Sequence, residues 1–224
     1  MPSRSDGRID RVEQMVLGNE VLALRYFCLD YGPAPDGMQD MGLVQLAAAY
    51  GYADMLALLL EYRTDTQLDT DMGVFDAPLR LVCATSHTPP DIAETGQNVL
   101  EVRVRDYAAV ASMLIAAGGN VHSCDRHGRT PLHAAALDGG VEVASCLLEH
   151  GARLEQKDHC GRTAMHMAAQ QGDSSLVLIL LACGADLTVR DNSGSLAAEL
   201  GVQHRLPPRI CKLLNSASRG CQPR

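Results

Sequence analysis

The chain has no Trp, two Phe and six Tyr among its 224 residues. So small an aromatic supply leaves the core to Leu, Ala, Val and Met, which suits closely packed helices better than a β-sandwich. No apolar run approaches the roughly 20 residues that a transmembrane helix needs, and Met1 to Asp10 lacks the apolar stretch of a signal peptide. A membrane or secreted protein is therefore not expected. Clustered basic residues are also lacking, and a net charge of −8 argues against general nucleic-acid binding, which draws its affinity from releasing phosphate counterions. The G-x-x-x-x-G-K-[ST] phosphate loop and the G-x-S-x-G elbow are both missing. The usual sequence handles for nucleotide or acyl-transfer chemistry are thus absent.

What is present belongs to a folded chain. At 46% hydrophobic and 21% charged residues, the sequence can bury a substantial core and does not read as disordered. Charge is unevenly spread: residues 1–106 hold 17 Asp/Glu against 8 Arg, whereas residues 107–224 hold 10 against 11 Arg/Lys. Arg outnumbers Lys 17 to 2; guanidinium favours planar, bidentate contacts to carboxylates, and a genomic bias gives the same composition. The eight cysteines are dispersed, and Cys83, Cys146 and Cys183 sit in apolar helical contexts, where a free thiol acts as a small hydrophobe. Reduced thiols in the cytosol or nucleus are the expectation.

An internal period organises the second half. Asp125, Gly128, Thr130, Pro131, Leu132 and His133 open a unit that continues through Ala135, Ala136 and Gly139 to Leu147, Leu148, Gly151 and Ala152. Asp158, Gly161, Thr163, Met165 and His166 repeat it at an offset of 33, through Ala168, Ala169, Gly172, Leu180, Leu181, Gly184 and Ala185. Asp191 and Gly194 begin another unit at the same offset.

Each landmark has a physical reading. Pro131 fits a first helical turn, where its missing N–H costs nothing, and Thr130 can cap that end. Ala135 and Ala136 let two helices approach closely, and Gly139 permits the left-handed backbone that ends the first helix. Val143, Leu147 and Leu148 form the stripe of a second, antiparallel helix. One such pair cannot bury both faces, so the units must stack.

These residues resemble the ankyrin repeat, whose G-x-T-P-L-H-x-A-A pattern followed by L-L-x-x-G-A is specific at this period. The resemblance implies an all-α ankyrin-repeat solenoid of stacked antiparallel helix pairs with hairpin loops. It spans about residues 9–215: a degenerate end unit at 9–32, then units at 33–65, 66–124, 125–157 and 158–190, and a terminal unit at 191–215. Residues 1–8 and a basic tail at 216–224 flank it. The early units depart from the pattern, with Gln45 in place of His and Arg63 in place of Gly, and the last has lost its T-P-L-H signature, with Glu199 at the His position. Pro207 and Pro208 are placed to start a last helix from Arg209 to Asn215. An insertion at 85–105 interrupts the unit that resumes near Asp106. Pro89, Pro90 and Gly96 favour an irregular, protruding loop there, while Val99 to Val104 is compatible with a short strand or a helix extension.

His133 and His166 occupy one repeat position, and the resemblance implies that they hydrogen-bond backbone between repeats rather than act in catalysis. His122, Cys124, His127, His159 and Cys160 cluster near repeat junctions, but zinc needs four ligands at about 2.0–2.3 Å, and equivalent residues on adjacent units such as His127 and Cys160 stand roughly 8–10 Å apart. No metal, cofactor or catalytic residue is expected.

The resemblance implies binding of another protein through the concave side, formed by hairpin loops and the outer residues of first helices. The residues mapped there are Tyr50, Phe75, Asp76, Arg126, His127, Arg129, Asp138, His159, Arg162, Gln170, Gln171, Arg190 and Asn192. Arg129 and Arg162 are equivalent residues of consecutive units, so stacking aligns them on one edge, with Asp125, Asp158 and Asp191 available to neutralise them. The expected function is a noncatalytic scaffold or adaptor, without membrane or direct nucleic-acid contact. Two alternatives stay open: substrate recognition for a ubiquitin ligase, though Leu206 to Cys211 has one residue too many for the SOCS-box pattern, and a regulatory module of an enzyme. From the sequence alone, limited proteolysis is expected to cut within Thr85 to Arg105 before it cuts between Asp125 and Arg190.

Overall fold

The computed structural model describes residues 41–63, 76–85, 106–204 and 206–220. The expected end unit at 9–32, Phe75, and all of the insertion beyond Thr85 lie outside the described residues. The described helices are α1 (Met41–Ala49), α2 (Ala53–Arg63), α3 (Asp76–Thr85), α4 (Tyr107–Ala116), α5 (Pro131–Asp138), α6 (Val141–Glu149), α7 (Ala164–Gln171), α8 (Ser174–Ala182), α9 (Ala197–Gln203) and α10 (Pro208–Gly220). Among the described residues there is no strand, only an isolated antiparallel bridge between Arg190 and Leu196. The fold is all-α, built from antiparallel helix pairs.

The chain divides into two compact units, Met1–Val82 with Pro89–Gly119 and Cys83–Thr88 with Asn120–Arg224. In the first, α1 and α2 form a pair that turns at Gly51, whose positive φ of 68° accepts the reversal. Helix α4 packs on both. Its start is fixed twice: the Asp106 side chain accepts from the Ala109 amide at 2.8 Å, and the Asp106 amide donates to the Gly51 carbonyl at 3.1 Å. Val44, Ala47, Met55, Leu56, Leu59, Val110 and Leu114 are buried there.

In the second unit the period of 33 becomes three successive pairs, α5 with α6, α7 with α8, and α9 with α10. First helices pack on first helices, α5 on α7 and α7 on α9, and α6 packs on α8. Ala135, Ala136, Ala168 and Ala169 are buried where the helices meet, so a larger side chain there would push the layers apart. Gly139 closes α5 with φ of 78°, and Gly172 closes α7 with φ of 73°. Leu147 and Leu180, at one repeat position, are both fully buried.

Two details differ from the sequence reading. Helix α10 runs on to Gly220, past Asn215, because Ser216 to Gly220 contains no proline to stop it. Cys183 is exposed, since it caps α8 from just outside the helix rather than joining the stripe. Cys83, Cys146 and Cys211 are buried free thiols, and burial pushes the Cys83 thiol well above its ordinary range.

Leu147 has no exposed surface, so Leu147→Ala is expected to cost about 2–5 kcal/mol through lost burial and a residual cavity. Thermal or denaturant unfolding measures this directly.

Candidate interaction surface

The hairpin loops that lead into α5, α7 and α9 are built by one device. Asp125 Oδ1 accepts from the amides of His127 at 2.7 Å and Arg129 at 2.9 Å. Asp158 Oδ1 accepts from Cys160 at 2.9 Å and Arg162 at 2.8 Å, and Asp191 Oδ1 from Ser193 at 2.9 Å and Ser195 at 2.8 Å. A carboxylate holding two amide donors bends the backbone into a tight, reproducible turn. At Asp125 desolvation pushes the carboxyl upward, but the Arg129 and His127 amides with the Arg129 cation together outweigh it and hold the group below the usual range.

The loops are chained tip to tip. The His159 amide donates to the His127 carbonyl at 2.9 Å, and the Asn192 amide to the Cys160 carbonyl at 2.9 Å. The Asn192 side-chain amide adds a bond to the His159 carbonyl at 3.0 Å. Contact is close at two of the three tip glycines, Gly128 and Gly161. A Cβ on Gly128 would fall 2.6 Å from His159 Cδ2, and one on Gly161 would fall 2.4 Å from Asn192 Oδ1. Both also have positive φ.

Behind the tips, His133 and His166 lock loop to helix. The Thr130 amide reaches His133 Nδ1 at 3.1 Å, and the Thr130 hydroxyl lies 2.8 Å from the same nitrogen. An amide can only donate, so Nδ1 is the acceptor, the proton sits on Nε2, and Nε2 donates to the Arg162 carbonyl of the next loop at 3.0 Å. His166 repeats the arrangement with the Thr163 amide at 3.2 Å and the Ser195 carbonyl at 3.3 Å. The structure thus assigns both rings to repeat architecture.

The thirteen residues singled out from the sequence fall into distinct situations. Arg126 and His127 are exposed at the first tip, with Arg126 Nε donating to His127 Nε2 at 3.2 Å. His159 and Asn192 are exposed but engaged with the preceding loop. Arg162 is held by the buried Asp158 carboxylate at 3.2 Å and donates to Gln170 Oε1, also at 3.2 Å. Arg129 lies 3.8 Å from Asp125, and Arg190 donates to the Gly194 carbonyl. Gln171 is exposed at the end of α7, whereas Asp138 at the end of α5 is half-buried. In the other unit Tyr50 stacks on Tyr52 with ring centroids 5.6 Å apart, and Asp76 is the first residue of α3. Phe75 lies outside the described residues.

Sequence reasoning passed over Lys157, whose Nζ donates to the Arg190 carbonyl at 3.3 Å. The signal was available, because Lys157 is the repeat equivalent of Arg190. Among the described residues no group of three or more His, Cys, Asp or Glu is placed to hold a metal ion, and no helix is long and apolar enough to cross a membrane.

Residues 100–191 match the family model for Ankyrin repeats (3 copies). Residues 100–191 are thus ankyrin repeats, and the match takes in the first two of the hairpin loops just described and the helix pairs that follow them. Members of that family are generally noncatalytic protein–protein interaction modules. No curated protein matches the chain.

Burial lowers the pKa of His133 and of His166, so each is neutral when folded and takes up a proton more readily when unfolded. Their contribution is complete above the ordinary histidine value of about 6.5 and is lost as pH falls below it. The melting temperature is expected to drop between about pH 7 and about pH 5, and H133Q/H166Q, which places the natural residue of position 45 at both sites, should flatten that limb. Arg162→Ala removes the cation from a buried carboxylate and is expected to cost about 1 kcal/mol or more; Arg126→Ala should leave the melting curve unchanged.

Proposed function

We propose that the chain is a noncatalytic scaffold or adaptor that binds another protein through its hairpin tips and the outer residues of its first helices. The observation that carries this reading is the division of labour along the loops. Asp125, Asp158 and Asp191 are consumed in making the turns, and the tips are linked by backbone bonds. Side chains at the tips differ from repeat to repeat: Arg126, His159 and Asn192 occupy one position, and His127, Cys160 and Ser193 the next. A rigid backbone that carries exposed, variable side chains is suited to recognition, because little ordering entropy remains to be lost on binding. The reading places the protein in the cytosol or nucleus, supported by six described cysteines that are free thiols.

The test is affinity capture with mass spectrometry, comparing the parent with a tip variant, His127→Glu with Gln171→Glu, and a variant remote from the tips, Glu149→Ala. A reproducible partner set retained by Glu149→Ala and lost by the tip variant is the expected outcome. Equal capture by all three would remove this surface from consideration. Ubiquitin-ligase subunits among the partners would establish ligase substrate recognition instead, and a single stoichiometric enzyme would establish a regulatory module.

A further inference from the structure

The tip edge of the second unit is nearly balanced in formal charge, with Arg126, Arg129, Arg162 and Arg190 against Asp125, Asp158 and Asp191. The balance is not spatial. Each aspartate turns an oxygen inward onto two loop amides, and Asp158, whose side chain is only 2% exposed, gives its second oxygen to Arg162. The cations differ just as sharply. Arg162 is spent on Asp158 and Gln170, and Arg190 on the Gly194 carbonyl. Arg126 is exposed, and its one bond is from Nε to His127. Its two Nη groups, the pair that grips a carboxylate end-on, have no partner among the described residues.

The geometry points to Arg126, with His127 beside it, as the recognition point for a carboxylate-rich segment of a partner protein, an Asp/Glu stretch laid across the first hairpin tip. The inference rests on the protein-binding reading above and narrows it to a partner class and an anchor. The bond from Nε to His127 directs the planar guanidinium, so its outer edge is preset for a two-pronged carboxylate contact. The exposed His127 and His159 extend the donor surface along the linked tips. Among the described residues no carboxylate pairs with Arg126: the neighbouring Asp125 holds Oδ1 on two loop amides and has Oδ2 3.8 Å from Arg129.

The probe is a short fluorescein-labelled poly-glutamate peptide, followed by anisotropy with the full chain at two salt concentrations. The parent is expected to bind it, and Arg126→Ala to weaken binding about two- to fivefold, the range of exposed ion pairs, with a shallower salt dependence. Arg153→Ala removes the same charge from an exposed site off the tips in the same unit and is expected to cost less. Equal losses in the two variants would reduce the effect to net charge and overturn the assignment. So would absence of binding by the parent, or tighter Arg126-dependent binding of a phosphoserine peptide of equal charge. Any of these failures leaves the interaction reading standing if partner capture still depends on the tips; loss of that dependence would sink both.

Discussion

The neutral imidazoles of His133 and His166 couple the two scales of this structure. Within a repeat, Nδ1 satisfies an amide at the start of a first helix that would otherwise be an orphan donor. Between repeats, the opposite nitrogen donates to a carbonyl of the next hairpin. A ring that was charged could donate at both nitrogens but accept at neither, and the helix start would lose its partner. Burial and bonding therefore support each other: desolvation keeps the ring neutral, and the neutral ring completes the bonds that justify burying it.

The same requirement explains how the repeat beginning at Asp191 differs. Glu199 stands where the earlier repeats carry His and still accepts from the Leu196 amide at 2.9 Å. A carboxylate has no proton to pass onward to a following hairpin. It keeps the local cap without a proton to offer onward, and it is exposed where the histidines are buried. Glutamate at this position, which looked like a degraded signature, is chemically fitted to where it sits. The bond from Asp186 N to Glu155 Oε1 at 2.7 Å, and that from Lys157 to Arg190, add side-chain ties between repeats farther along the loops.

Because architecture takes so many of the loop atoms, recognition is left with the remainder. Charge alone is a poor guide to which atoms those are. Arg129 and Arg162 share a repeat position, yet Arg162 pairs at 3.2 Å with a buried carboxylate and also bonds Gln170, whereas Arg129 is 3.8 Å from a half-exposed one. Position 170 is Gln where the preceding repeat has Leu137. A single polar substitution eight residues along the chain thus draws one arginine into the scaffold.

The period of 33, the helix pairs of the second unit and most of their ends were legible in the residue pattern. Those depend on local chemistry: threonine and proline at a helix start, glycine where φ must be positive, leucines at helical spacing. That pattern also marked the loops and the histidines, since repeated residues recur at fixed offsets. Which exposed side chains are already engaged follows only from the packed arrangement of the loops. His159 lies against Gly128, Asn192 reaches back 33 residues to the His159 carbonyl, and Arg162 finds Gln170 across the foot of α7. Each outcome depends on distances of a few ångströms: the first two are set when the repeats stack, and the third when a hairpin loop folds against its own first helix.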